Sequence, residues 1–312
     1  MQLVDVAHSL SNAVYLDLDA LRTQYGWSER NHRIFDRMFN LKSAALHPQM
    51  PLREMLTISA SALAGRNPEL IGNVDHLFYC HAVNTTIPFD HGFLEKLAFD
   101  VFDCRPEVMS IAHGACASAI MVIHMLQRLE SEHPLNVVIL TGEKCFFESQ
   151  QYADNQGLYG EATTGVYVKV GASTGTRIVA TEVGNFDGLF SPMLSATKEA
   201  MLAFDQAFLP QMTRLVTNLL DRAEMDAAEI DVIFPTHLSP FTSNRVANLL
   251  GMERAEIWKT NLPHIGHCYC GDLFLNYQSW LDDAPDDSCG TNILSFASGM
   301  TGSYAGIILK KD

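Results

Sequence analysis

The chain has 312 residues, of which 21 are basic and 36 acidic, giving a formal charge of −15. At roughly 150 residues per domain this means one large domain or two ordinary ones, and a 47% apolar, 18% charged composition excludes a disordered tail or a solvating polymer. Neither half is basic enough for a nucleic-acid module, and no stretch reaches the ~18 apolar residues that a membrane span needs.

The first ten residues, MQLVDVAHSL, lack the basic and apolar segments of a secretory leader. Short β-rich runs predict strands at Leu3–Ala7, His76–Val83, Val108–Ala112, Val137–Thr141 and Gly165–Val170. Further runs follow at Arg177–Val183, Val232–Pro235, Asn292–Phe296 and Tyr304–Leu309. Helical periodicity covers Leu52–Leu63, Ala117–Leu129, Lys198–Ala223, Asn244–Leu250 and Leu273–Leu281, with Pro210 expected to kink the third. This alternation predicts an α/β fold with buried central strands. The polar break Gly171-Ala-Ser-Thr-Gly-Thr176 divides the chain into residues 1–172 and 173–312, and the interface between the two is the natural place for a site. Seven scattered cysteines form no disulfide framework and fit a reducing, cytoplasmic setting.

The segment Ile111-Ala-His-Gly-Ala-Cys116-Ala-Ser joins an apolar strand to an apolar helix through a tight turn. A lone cysteine is by default a small buried hydrophobe. At a helix N-terminus, however, unpaired N–H groups and the dipole favour thiolate, which makes Cys116 a candidate nucleophile. His237, after the run Asp231-Val-Ile-Phe-Pro-Thr, and His267, after Pro263-His-Ile-Gly, each stand at the mouth of an apolar element. Singly, either is more often structural; with Cys116 they form a set that loops could bring together. His264, His267, Cys268, Cys270 and Asp272 crowd into nine residues, but Cys268-Tyr-Cys270 sends its thiols to opposite sides of an extended chain, so no metal is expected. Asp272 could serve as an acid or orient a histidine, but is expected to cap the helix Leu273–Leu281, and Met121 and Met125 read as core. Phosphate-loop, dinucleotide, zinc-protease and serine-hydrolase signatures are absent from the sequence.

Several of these residues resemble the thiolase-fold condensing enzymes, and among them the β-ketoacyl-acyl carrier protein synthase III group. Ala115-Cys116-Ala117-Ser118 is similar to the nucleophile turn, Val138-Ile-Leu-Thr-Gly-Glu143 to the strand after it, and Gly184-Asn-Phe-Asp-Gly188 to the start of the second half. Ser295-Phe-Ala-Ser-Gly-Met-Thr-Gly-Ser303 resembles the glycine-rich turn facing the nucleophile. The resemblance spans Val4 to Leu309 and implies two similar βαβ-rich halves packed as an α/β/α/β/α layered structure. His267 departs from the Asn usual in synthase III, and Gly266-His267 looks instead like the elongating synthases and thiolases. The second cysteine of thiolases proper is missing.

What the resemblance implies is acyl transfer from a thioester to Cys116, with the backbone N–H of Cys116 and of Ser298 or Gly299 stabilising the oxyanion. His237 and His267 would then stabilise the enolate of a malonyl-type extender that loses carbon dioxide, giving decarboxylative Claisen condensation. Two alternatives are an acyltransferase that keeps Cys116 and His237, with His237 as general base, and forms an ester or amide without a carbon–carbon bond, and a non-catalytic partner of an active homologue. The resemblance further implies a homodimer with Phe89 closing the acyl pocket of Phe296 and Asp272. It implies no cofactor, and either coenzyme A or carrier-protein thioesters as substrates. An acidic carrier would meet Arg245, Arg254 and Lys259.

Overall fold

The computed structural model describes residues 1–83, 92–145, 152–153, 157–171, 175–186, 197–238, 240–283, 288–299 and 302–312. Through the first half of the chain run β1 (Gln2–His8), β2 (Val14–Asp17), α1 (Leu18–Tyr25), α2 (Glu29–Arg33), β3 (Ser43–Leu46), α3 (Leu52–Arg66), β4 (His76–Cys80) and α4 (Phe93–Phe102). They are followed by β5 (Glu107–Ile111), α5 (Ser118–Leu126), β6 (Leu135–Gly142), β7 (Tyr152–Ala153), β8 (Gly157–Leu158) and β9 (Thr163–Val170). The remainder comprises β10 (Thr176–Asn185), α6 (Lys198–Ala223), β11 (Val232–Phe234), α7 (Pro240–Leu250), β12 (Glu256–Ile257), α8 (Leu262–Ile265), α9 (Asp272–Asp283), β13 (Asn292–Ser298) and β14 (Ser303–Lys310).

Ten strands hydrogen-bond in the order β12-β11-β13-β14-β10-β1-β9-β6-β4-β5. On one side of the β1–β10 contact, β1 pairs antiparallel with β9 and β9 with β6, while β6–β4 and β4–β5 are parallel. On the other side β10–β14 and β14–β13 are antiparallel, and β13–β11 and β11–β12 parallel. Numbered by chain order within each run of five, both read 3-2-4-5-1 with the same directions. The division between residues 172 and 173 lies outside the described residues.

Period-two alternation sorts the side chains into layers. In β6, Val137 and Ile139 face a core shared with Ile120 and Ile123 of α5 and with Phe274 and Tyr277 of α9. Val138 and Leu140 face the opposite core, filled by Leu56 and Leu63 of α3 and Leu97 and Phe102 of α4. The second run of strands shares the α5/α9 core through Val232, Ile293 and Ile307, and packs its other face on Met212, Leu215 and Leu219 of α6 and Val246 of α7. The layers are therefore α3/α4, five strands, α5/α9, five strands, α6/α7, an α/β thiolase fold. Each fully buried aliphatic side chain contributes about 1.5–3 kcal/mol relative to exposure, so the apolar helix α5, closed in from both sides, anchors the turn that precedes it.

All nine β-rich runs of the sequence fall on strands, although His76–Val83 runs three residues past β4, and Val108–Ala112 and Val232–Pro235 each run one residue past theirs. Pro210 sits within the single helix Lys198–Ala223, not at a boundary. Unread in the sequence were the antiparallel β2–β3 pair, α1, α2, α4, α8 and the two-residue strands β7, β8 and β12. Among the described residues no helix is long and apolar enough to cross a membrane.

Candidate active site

β5 ends at Ile111, and the chain turns through a short 3-10 segment, Ala115–Ala117, before α5 begins. Ala115 has φ +46°, a left-handed conformation sparsely used by residues with a Cβ and often concentrated at functional turns. The turn is pinned by Ala115 N donating to Ala112 O at 2.9 Å, Ala117 N donating to Gly114 O at 3.0 Å, and the Cys270 thiol donating to Ala115 O at 3.0 Å. Gly299 seals it from the other half: a Cβ there would stand 2.3 Å from Gly114 O. Cys116 is half-buried between the buried Ala115 and Ala117.

Opposite it, Gly266 takes φ +74° and ψ −179°, a region open essentially only to glycine. The reversal presents His267, whose N donates to Leu158 O at 2.8 Å and whose O accepts from Gly160 N at 2.9 Å. His267 Nε2 lies 3.2 Å from Cys116 Sγ, and its Nδ1 donates to Asp272 Oδ2 at 2.5 Å. Asp272 opens α9, yet its carboxylate turns back from that helix. Oδ1 accepts from Cys268 N at 2.7 Å, and Oδ2 accepts from His237 N at 2.6 Å as well as from His267. The expected helix cap is thus corrected to a carboxylate that orients a histidine. The 3-10 turn Tyr269–Gly271 folds Asp272 back under His267, five residues earlier.

Burial by itself would drive the proton off His267, but the Asp272 carboxylate and the Cys116 sulfur outweigh it and raise the imidazole to about 10. Burial likewise opposes ionisation of Asp272, while the charges of His237 and His267 and their donated hydrogens hold it below the ordinary carboxylate value. The arrangement is a sulfur, a buried imidazole and a buried carboxylate in line, the layout of an activated nucleophile. Tyr159 and Tyr269 wall the imidazole with ring centroids 5.4 and 5.5 Å away, stacked on each other at 5.1 Å.

His237 is fully buried and faces elsewhere. Its Nδ1 lies 3.0 Å from Gly266 O and 3.2 Å from Asp272 Oδ1, and its Nε2 lies 2.8 Å from Asn276 Oδ1. A cavity of about 80 Å³, space for roughly two or three waters, is lined by His267, by Phe208 and Met212 of α6, by Thr236 and Leu238, and by Phe296 and Ser298 among others. Phe296 and Ser298 thus stand beside His267. Gly299 lies against the nucleophile turn, but its N–H donates to Ser303 O at 2.8 Å. That leaves Ser298 of the two expected oxyanion donors. Phe89 lies outside the described residues. Arg245, Arg254 and Lys259 are exposed. Sequence reasoning missed Tyr159, Tyr269, Asn261 and Asn276; the one legible hint was Tyr159 in Gly157-Leu-Tyr-Gly160, where a Cβ on Gly160 would come within 2.0 Å of Ile265 O.

Among the described residues no group of three or more His, Cys, Asp and Glu has the geometry to hold a metal. The Cys268 and Cys270 thiols instead point to the carbonyls of Gly266 and Ala115.

No family model matches the sequence, and no curated protein does. Solved structures do match over nearly the whole chain. ChlB3, an acyltransferase, superposes with a TM-score of 0.82 at 12% identity, covering 99% of this chain and 97% of that one. The β-ketoacyl-acyl carrier protein synthase III of Thermus thermophilus gives 0.77 at 12% identity, over 100% and 99%. AbyA1, a tetronic acid condensing enzyme, gives 0.74 at 14% identity, over 99% and 100%. The chain has the thiolase fold in the form that synthase III structures share.

Proposed function

We propose that this thiolase-fold chain is an acyltransferase that carries an acyl group from a thioester on Cys116 and passes it to an oxygen or nitrogen nucleophile. The observation that carries the reading is the line Cys116–His267–Asp272, with 3.2 and 2.5 Å between successive partners. In the first step the sulfur, paired with the imidazolium of His267, attacks the thioester carbonyl. The new C–S bond forms as the old one breaks, and Nε2–H of His267 protonates the departing thiolate. In the second step neutral His267 takes the proton of the acceptor hydroxyl or amine, whose lone pair attacks the acyl carbon, and Cys116 leaves as the anion. Acylation takes the Cys116 sulfur, one of the groups that raise His267, out of the pair, which favours release of the imidazole proton when a base is needed. Asp272 holds the ring orientation through both steps, and the backbone N–H groups of Cys116 and Ser298 would donate to the carbonyl oxygen.

Incubation with an acyl-coenzyme A and an alcohol or amine, with no malonyl donor, should yield an ester or amide. A product that forms only with a malonyl thioester would favour a second reading, decarboxylative condensation. The apolar lining around His267, from Phe208, Met212, Leu238 and Phe296, supports that reading because a poorly solvated carboxylate is readily lost. In both readings the donor is a coenzyme A or carrier-protein thioester, a carrier being met by the exposed Arg245, Arg254 and Lys259, and the active unit is a homodimer.

A further inference from the structure

We infer that His237 is a positioning residue: it fixes the Gly266–His267 turn for the Cys116–His267–Asp272 line and touches neither the acyl group nor the acceptor. Two observations carry this. Thr236 and Leu238 both line the cavity beside His267, whereas His237, between them, is fully buried and is not among its lining residues. Both its nitrogens already have partners, Gly266 O at 3.0 Å and Asn276 Oδ1 at 2.8 Å. Asn276 is itself fixed by donating to Pro235 O at 2.9 Å and by accepting from Asn261 Nδ2 at 3.2 Å.

The partners of His237 are those that place His267. Gly266 is the hinge that presents the ring, and Asp272, which accepts from the His237 backbone N, is the carboxylate that orients it. Turning the His237 ring toward a substrate would give up its buried contacts with Gly266 O and Asn276 Oδ1, an unfavourable exchange. The catalytic work is therefore divided unequally between two histidines that the sequence presents as equivalents. His267 moves protons, and His237 holds the loop that carries it.

The inference rests on the acyl-transfer reading only for its activity readout, so the test begins with chemistry independent of substrate. The rate of Cys116 alkylation by iodoacetamide, followed by peptide mapping, reports the Cys116–His267 pairing directly. His237→Ala should slow it about tenfold or more, towards the rate of His267→Ala, because a small misplacement of the base is costly. An asparagine amide can occupy the Nδ1 position and donate to Gly266 O. His237→Asn should therefore recover to within about threefold of wild type, a rescue that proton transfer by His237 would not allow.

A folded His237→Asn as slow as His237→Ala would overturn the inference, as would a His237→Ala that alkylates like wild type. In case neither variant folds, 15N NMR of the wild-type imidazoles decides: alkylating Cys116 should move the His267 ring signals and leave those of His237 in place, and a change of His237 protonation would overturn the inference. A wild type that alkylates as described but accepts no acyl group from acetyl-coenzyme A would remove the acyl-transfer reading and leave this one standing.

Discussion

At the scale of single residues, the chemistry turns on one buried carboxylate. Asp272 raises His267 above its ordinary 6.5, to about 10, against the opposing effect of burial. A group whose folded value is raised contributes stability that is complete below its unfolded value and is lost as the pH climbs through the folded one. Asp272, held below its ordinary 3.8, contributes above that pH and loses the contribution as the pH falls further. Asp272→Asn should thus cost about 1–3 kcal/mol, with the gap to wild type widest between pH 3.8 and 6.5 and narrowing toward pH 10. Urea unfolding across that range checks it, and a gap independent of pH would refute the pairing. The cysteine was legible because an apolar strand, a tight turn and an apolar helix surround it. For Asp272 the sequence offered both a cap and a histidine-orienting role and favoured the cap, because only the 3-10 turn before it shows the backward fold. His237 and His267 looked alike in sequence because each follows an apolar run; what separates them is Asn276, 39 residues from His237.

At the scale of elements, two glycines hold the halves together across the site. Gly299→Ala would place a methyl 2.3 Å from Gly114 O, displacing the turn that carries Cys116 without touching either core. The fold should persist while Cys116 alkylation falls by about 10²-fold, and a normal rate in the folded variant would contradict the packing described. Gly266→Ala forces a Cβ into a region that only glycine enters, 3.0 Å from Gly160 N. It should lower the melting temperature and the alkylation rate together, as calorimetry and peptide mapping would record. Nine of the ten strands of the large sheet were plain in the sequence because each is an apolar run, and the two-residue β12 was not. The antiparallel β2–β3 pair escaped notice because each strand is only four residues long and α1 and α2 separate them in the chain. Helix α4 was readable in principle, since Leu94, Leu97, Ala98 and Phe102 recur with helical spacing.

At the scale of the whole molecule, β5 ends the ten-stranded sheet with Glu107, Met109 and Ser110 exposed, Met109 by 41%. An edge strand that pairs on one side only among the described residues, with an exposed Met, is suited to pair with a second copy. Light scattering should report a homodimer, and Met109→Glu should shift it toward monomer by setting two carboxylates against each other at a paired edge. A wild-type monomer at micromolar concentration with full activity would exclude the dimer. The two runs of strands could be read as a pair of βαβ-rich halves from the sequence, whereas their identical 3-2-4-5-1 order required the pairing itself. The central claim, that Cys116 takes the acyl group and His267 backed by Asp272 moves it on, is tested most directly by mass spectrometry of the protein after exposure to a panel of acyl-coenzyme A thioesters. A single acyl group on the Cys116 peptide, absent in Cys116→Ala and discharged by an added alcohol or amine without any malonyl donor, is the predicted result. Acyl label on Cys145, Cys268 or Cys270 that survives in Cys116→Ala, or no label with any thioester, would contradict it.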